Sequence, residues 1–295
     1  MLQIEKIEFR KTRDFGTIIN ETFALIRANF LILGKSFLFI ICPIIFVLST
    51  ILIVFFNNAF SLIESASKNK QDISQLFTPQ FIVLCAIFFL LFIILYSIEY
   101  AFIEIMSYET LMIYSERGSA DYTIQQVWER LKKDFWKVFI TFIGRGIIVL
   151  LTFPLFIIPG IYFIVALSLM PFLRIKEKIG FFQSVRRSIS LISGKWWFTF
   201  LVFIVLYIIF ASIVGIFTII PQWIIQAIMM HSPNQIDFKS LKMFFAVIMI
   251  LQQLALFVYI IFYYAIVLLY YTFVEQKEGT GLLQKVESIG NSNAE

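Results

Sequence analysis

Long uncharged apolar runs constrain this chain more than any other feature of its sequence. The clearest run covers residues 37–56, about the 20 residues that a helix needs to cross a hydrocarbon core. Similar runs cover 81–98, 196–230 and 243–274. The apolar stretch 138–173 is too long for one span, and the Pro159-Gly160 pair inside it predicts two helices joined by a turn there. The sequence therefore predicts an all-α, polytopic membrane protein with six transmembrane helices.

The composition agrees with a chain that lies mostly in lipid. Hydrophobic residues make up 60% of the 295 residues and charged residues only 15%, with a mean hydropathy of +0.89. A water-soluble fold with this balance would expose large apolar patches, which soluble proteins avoid. A soluble class is therefore excluded.

The uneven distribution of basic residues predicts the orientation in the membrane. All but five of the 24 Lys and Arg residues fall in the N-terminal segment, in the connections after the second and fourth spans, or in the C-terminal tail. The positive-inside rule places these segments and both termini in the cytoplasm. Orientation and anionic lipid head groups account for the net charge of +5, and no recognition motif predicts nucleic-acid binding.

Three basic segments share one spacing of apolar residues. Apolar side chains recur in each at intervals of four, three and four residues, which is typical of one helix face. The positions are Ile19, Phe23, Ile26 and Phe30; Ile124, Trp128, Leu131 and Phe135; and Val185, Ile189, Ile192 and Trp196. We predict three cytoplasmic amphipathic helices in the membrane interface, each turning into a pair of spans. The predicted threefold repeat has the units 15–114, 123–175 and 181–274.

These interfacial segments supply one group of candidate site residues. Their apolar side chains would enter the acyl region while their cations face lipid phosphates, and Trp suits the depth at which the chain bends into the bilayer. The candidates are Phe23, Trp128, Arg186, Arg187, Lys195, Trp196 and Trp197. The segments either orient the spans or contact anionic lipids or a protein partner. In both interpretations residues 1–277 form one membrane domain, and 278–295 form a short polar cytoplasmic tail.

Arg145 is a charge inside a predicted span, and it forms a second candidate site. An unpaired Arg in hydrocarbon is costly, so such residues usually face the bundle interior and pair. Gly144 and Gly146 flank it and would let a neighbouring helix approach closely. With a helix rise of about 1.5 Å per residue, Glu104 would lie at the same depth in the membrane as Arg145, whereas Glu99 would lie deeper. We predict an Arg145–Glu104 pair, with Glu99 as the second candidate, that serves either helix packing or a translocation path or binding pocket.

The sequence offers no catalytic or metal-binding pattern. His231 is the only histidine, and the two cysteines have no spacing typical of a metal site. No Asp lies inside a predicted span, as an intramembrane aspartic protease would require. We therefore expect no enzyme activity, no catalytic residues, no metal and no cofactor.

One stretch resembles a known family. It reads Pro159-Gly160-Ile161-Tyr162, then Pro171, then Phe182-x-Ser184-x-x-Arg187-Ser188-x-x-Leu191-x-Ser193-Gly194-Lys195-Trp196-Trp197, and later Glu275-Gln276-Lys277-Glu278-Gly279. This pattern resembles the membrane domain of bacterial glycerophosphoryl diester phosphodiesterases and related six-helix membrane proteins. The resemblance implies a bacterial inner (cytoplasmic) membrane protein. It does not imply phosphodiesterase activity, because a separate soluble barrel with catalytic histidines carries that reaction and this chain has no counterpart of it.

The sequence therefore favours a non-enzymatic integral inner-membrane protein with a structural, scaffolding or lipid-associated role. The alternative is a transporter or permease for a small or lipidic solute that uses the Arg145/Glu104 region. The expected partners are anionic lipid head groups at the cytoplasmic face, together with a membrane-protein partner or further copies of the chain in a homo-oligomer.

Overall fold

A computed structural model of the chain describes residues 8–68, 79–152, 157–231 and 238–279. The regular elements in these ranges are all helical, as expected for backbone that must satisfy its own hydrogen bonds in lipid. The α-helices are α1 (Phe15–Ser36), α2 (Cys42–Lys68), α3 (Pro79–Arg117), α4 (Ile124–Thr152), α5 (Ile157–Ala166), α6 (Met170–Lys176), α7 (Phe181–Ile192), α8 (Trp196–His231), α9 (Phe238–Leu254) and α10 (Ile260–Glu278). A π-helix, Phe37–Ile41, joins α1 to α2, and a 3-10 helix, Ala255–Tyr259, joins α9 to α10.

Six helical segments of the described chain are long and apolar enough to cross a membrane. They are Phe15–Asn58, Cys85–Arg117, Ile124–Thr152, Ile157–Lys176, Trp196–Ile224 and Ala246–Glu278. The predicted all-α class and the predicted number of spans are confirmed. The chain is a multi-pass membrane protein.

The helices group into two compact units. The first contains Met1–Ser36, Ala101–Ile209 and Tyr259–Glu295, and the second contains Phe37–Tyr100 and Phe210–Val258. The second unit packs α2 with α9 and buries Leu48 and Leu52.

The first unit is organised around α10, whose side chains are buried along most of the helix. Tyr264 of α10 shares a hydrogen bond of 3.1 Å with Thr110 of α3. Tyr108 of α3 packs its ring against Tyr263 and against Phe172 of α6, with centroids 5.6 and 5.3 Å apart. Aromatic rings therefore fill the centre of this unit, and their hydroxyl groups find local partners.

The three predicted interfacial segments fold in different ways. The first continues from α1 through the π-helix into α2, and the second forms the beginning of α4, which continues as a span without a break. Only the third is a separate helix, α7. A turn follows it because Gly194 adopts a positive φ of 79°, a conformation that residues with a Cβ rarely take. The first two segments have no residue with a positive φ before their spans. Among the described elements, the predicted turn from interfacial helix into span therefore occurs only after α7.

The turn predicted at Pro159-Gly160 is wrong. Both residues lie in the first turn of α5, which begins at Ile157. Pro159 and Gly160 are the third and fourth residues of this helix, so the chain continues as a helix through the position of the predicted turn. The connection from α4 to α5, residues 153–156, lies outside the described residues.

Candidate ligand pocket and intramembrane ion pair

An ion pair joins α3 and α4 within the first unit. Nη1 of Arg145 lies 3.5 Å from Oε1 of Glu104, and the side chains are 20% and 0% exposed. Tyr108, one turn further along α3, donates its hydroxyl to the same Glu104 oxygen at 3.1 Å. The guanidinium of Arg145 also lies 5.6 Å from the ring centroid of Phe142, one turn earlier on α4. Each member of the pair thus also contacts a residue one turn away on its own helix, Tyr108 for Glu104 and Phe142 for Arg145.

The pair does not use all the hydrogen-bonding capacity of its members. Oε2 of Glu104 is buried and has no hydrogen-bond partner in the described structure. The closest approach of Arg145 to Glu104 is through Nη1, and a guanidinium carries several N–H donors in a planar fork. The partly exposed side of Arg145 can therefore reach a further acceptor.

A cavity of about 770 Å³ lies beside Arg145. Side chains of α4, α5, α8 and α10 form most of its wall, and nearly all of them are apolar. The lining residues that can hydrogen-bond through their side chains are Arg145, Ser168, Tyr207, Tyr259 and Tyr263. Its volume is within the range of about 300–1,000 Å³ that is usual for small-ligand sites. The pocket combines a cation with a long apolar wall, which is the chemistry of an amphiphile site.

Two glycines beside Arg145 have opposite surroundings. A Cβ built on Gly146, which lines the cavity, would meet no atom within 4 Å. A Cβ built on Gly144 would lie 2.5 Å from the ring of Phe181. Gly146 thus leaves space open at the pocket, and Gly144 allows the start of α7 to approach α4 closely.

The other charged cluster of interest ties α7 to the end of α10. Nε of Arg187 lies 3.3 Å from Oε2 of Glu177, and Nη2 lies 2.5 Å from Oε1 of Glu278. Tyr270 donates its hydroxyl to Glu177 at 3.1 Å, and Lys277 donates to the carbonyl of Ser190. Burial alone would lower the pKa of Arg187, but its hydrogen bonds to Glu278 and Glu177 outweigh burial and raise that pKa. Arg187 is therefore engaged within the protein.

The remaining candidate interfacial residues have varied surroundings. The indole of Trp128 stacks on the ring of Phe102, with centroids 6.3 Å apart, and Trp196 donates its N–H to the carbonyl of Tyr162 at 3.2 Å. Phe23 is half-buried on α1, while Arg186, Lys195 and Trp197 are exposed. Glu99, the second candidate partner of Arg145, is buried and belongs to the other unit.

Sequence reasoning singled out Arg145 and Glu104 and kept a binding pocket there as one alternative, but it did not identify most of the side chains that line the cavity. Ser168 and Tyr207 lie in almost uninterrupted apolar sequence, which gives no sign that they share a cavity. The sequence predicts close helix approach at Gly146, whereas the structure leaves open space there. Among the described residues, no group of three or more His, Cys, Asp or Glu side chains could hold a metal ion.

The fold and the site define a class: an all-helical, multi-pass membrane protein with an apolar pocket beside an intramembrane ion pair. Comparisons with protein-family models, with curated proteins and with solved structures gave no match.

Proposed function

We propose that this chain is a non-enzymatic integral membrane protein that binds a lipid-like molecule in the pocket beside Arg145. The observation that carries the proposal is the cavity of about 770 Å³, with an almost entirely apolar wall and a cation at its edge. Such a wall offers little to a polar metabolite, but it favours burial of an acyl chain.

The position of the pocket supports entry from the bilayer. Its lining residues come from four of the six candidate spans. Leu150 and Tyr207 line the cavity and are also 68% and 61% exposed on the surface of the chain. Exposed apolar side chains of spanning helices face lipid, so the ligand would reach the pocket sideways without crossing water.

Native mass spectrometry in lipid nanodiscs tests this proposal. Gly146→Leu would place a side chain in the open space at the pocket, and Gly34→Leu makes the same change on α1, where a Cβ also meets no atom within 4 Å. We expect the parent chain and Gly34→Leu to retain a bound lipid that Gly146→Leu loses. Equal retention by all three would show that the pocket is not the binding site.

The proposed setting is a bacterial inner membrane with both termini in the cytoplasm, as the basic residues and the resemblance to the phosphodiesterase-associated membrane domain suggest. We also propose that the three interfacial segments of the threefold repeat lie on the cytoplasmic face of this membrane. Exposed Arg186, Lys195 and Trp197 support a contact of α7 with anionic head groups. Reporter fusions at the C-terminus that are active only in the cytoplasm, or only outside it, test the orientation.

Transport of a lipidic solute is the second candidate, because the pocket lies beside a charged pair within the spanning helices and Arg145 of that pair lines it. It differs from binding in one measurable respect. A transporter moves a labelled ligand between the leaflets or across the wall of a proteoliposome, whereas a lipid-binding scaffold retains it.

A further inference from the structure

We propose that the ligand of this pocket is a fatty acid: one acyl chain along the apolar wall and a carboxylate head at Arg145. The inference rests on the proposed binding function and specifies the chemistry of the ligand. It is carried by the geometry of Arg145 and by the scarcity of other polar groups in the cavity.

Arg145 supplies the charge that selects the head group. Its side chain is partly exposed and lines the cavity, whereas Glu104 is fully buried behind it. The distance of 3.5 Å between Nη1 and Oε1 is longer than the roughly 2.7–2.9 Å of a strong charge-assisted hydrogen bond. The guanidinium thus has donors left on the side that faces the cavity, and an anion placed there would compete with Glu104 for the same cation.

The small number of polar groups favours a compact head. A sugar or a glycerophosphodiester would bring many hydrogen-bonding groups into an apolar wall and leave most of them without partners, which is costly. A carboxylate needs only a few donors. Ser168 also lines the pocket, but its Oγ is buried, so the side chain would have to rotate toward the cavity before it donates to the carboxylate.

The wall accounts for the rest of the ligand. Val149, Ile161, Phe200, Phe203 and Ile266 contribute apolar surface from four helices. The volume of about 770 Å³ is that of a pocket for one small ligand. A single acyl chain fits within this volume along the apolar wall, with its carboxylate at Arg145.

A photolabelling competition tests the inference. The probe is a palmitic acid analogue with a diazirine on its chain, added to the purified protein in phosphatidylcholine nanodiscs. Palmitic acid and its uncharged methyl ester are the competitors. We expect palmitic acid to compete about tenfold better than the ester, because only the acid offers a charged acceptor to Arg145.

Variants of the ion pair sharpen the test. Glu104→Gln removes the competing carboxylate, so we expect it to strengthen competition by palmitic acid and to leave the ester unchanged. The double variant Arg145→Gln/Glu104→Gln replaces the pair by neutral side chains of similar size. In this variant the acid and the ester should compete equally.

The outcomes separate this inference from the proposed function. If acid and ester compete equally in the parent chain while Gly146→Leu abolishes labelling, the pocket binds an acyl chain and the carboxylate inference is wrong. If an unlabelled phospholipid competes better than palmitic acid, the inference is also wrong. If Gly146→Leu and Gly34→Leu are labelled equally well, the pocket is not the site and the proposed function fails.

Discussion

At the scale of single residues, the Arg145–Glu104 pair is a costly feature of the membrane interior. Removing two charges from water costs several kcal/mol for each ion, and their attraction repays this only with good geometry and further hydrogen bonds. Tyr108 supplies one such bond to Glu104. The pair therefore stabilises the fold mainly by comparison with a single buried charge, because either charge without its partner would destabilise the fold more.

Arg145→Leu should lower the free energy of unfolding by about 3–5 kcal/mol, because it leaves the carboxylate of Glu104 buried without a cation. The double variant Arg145→Leu/Glu104→Gln should recover part of this loss. Thermal unfolding in detergent, with both single variants and the double variant, measures the coupling. Losses that simply add would show that the two side chains do not interact.

Gly144 gives a second prediction at this scale. Gly144→Ala forces the ring of Phe181 to move, since the added Cβ would lie 2.5 Å from it. Gly146→Ala is the matched control, because its Cβ meets no atom within 4 Å. We expect Gly144→Ala to be less stable than Gly146→Ala by about 1–3 kcal/mol in thermal unfolding. Adding Phe181→Ala should remove the difference, and a difference that persists would contradict the contact.

At the scale of elements, the apolar pattern of α7 predicted a helix whose apolar face enters the acyl region, and it did not say which face packs inside the protein. Val185 and Ile189, on the predicted face of α7, are only half-buried, whereas the adjacent Ser184 and Ser188 are buried. Ser188 donates its hydroxyl to the carbonyl of Ala166 at 2.6 Å. In a membrane, small polar residues suit helix contacts and apolar ones suit lipid, so hydrophobicity alone does not identify the packed face.

The attachment of α7 depends on Arg187, which contacts Glu177 and Glu278. We expect Arg187→Met to destabilise this attachment by about 1 kcal/mol and to speed hydrogen exchange of the α7 amides. Arg186→Met removes the neighbouring charge, which is exposed, and should leave exchange unchanged. Equal exchange in the two variants would show that the Arg187 contacts do not hold the helix.

At the scale of the whole molecule, the sequence predicted the class and part of the site. The long apolar runs require spanning helices, and a charge inside such a run has to find a partner, so Arg145 and Glu104 stood out. The side chains that line the pocket could not be predicted in the same way. The pocket arises from the packing of four helices, and the long apolar sequence of α8 does not mark the few side chains that line a cavity.

Ligand binding should stabilise the entire fold. At a palmitic acid concentration about 100 times the dissociation constant, mass action adds roughly 2.7 kcal/mol to the free energy of unfolding. We therefore expect a rise in Tm for the parent chain and for Gly34→Leu, and none for Gly146→Leu. A rise of the same size in all three would assign the effect to the surrounding bilayer or detergent.

The central position of α10 also bears on how the protein is made. Every other element of the first unit precedes α10 in the chain, yet this helix fills the middle of that unit and supplies Glu278 to Arg187. The earlier helices of this unit therefore leave the ribosome before α10, the partner of α1 and α7, exists. Until α10 is synthesised, they lie in the membrane without this partner and are accessible to proteases or to assembly factors.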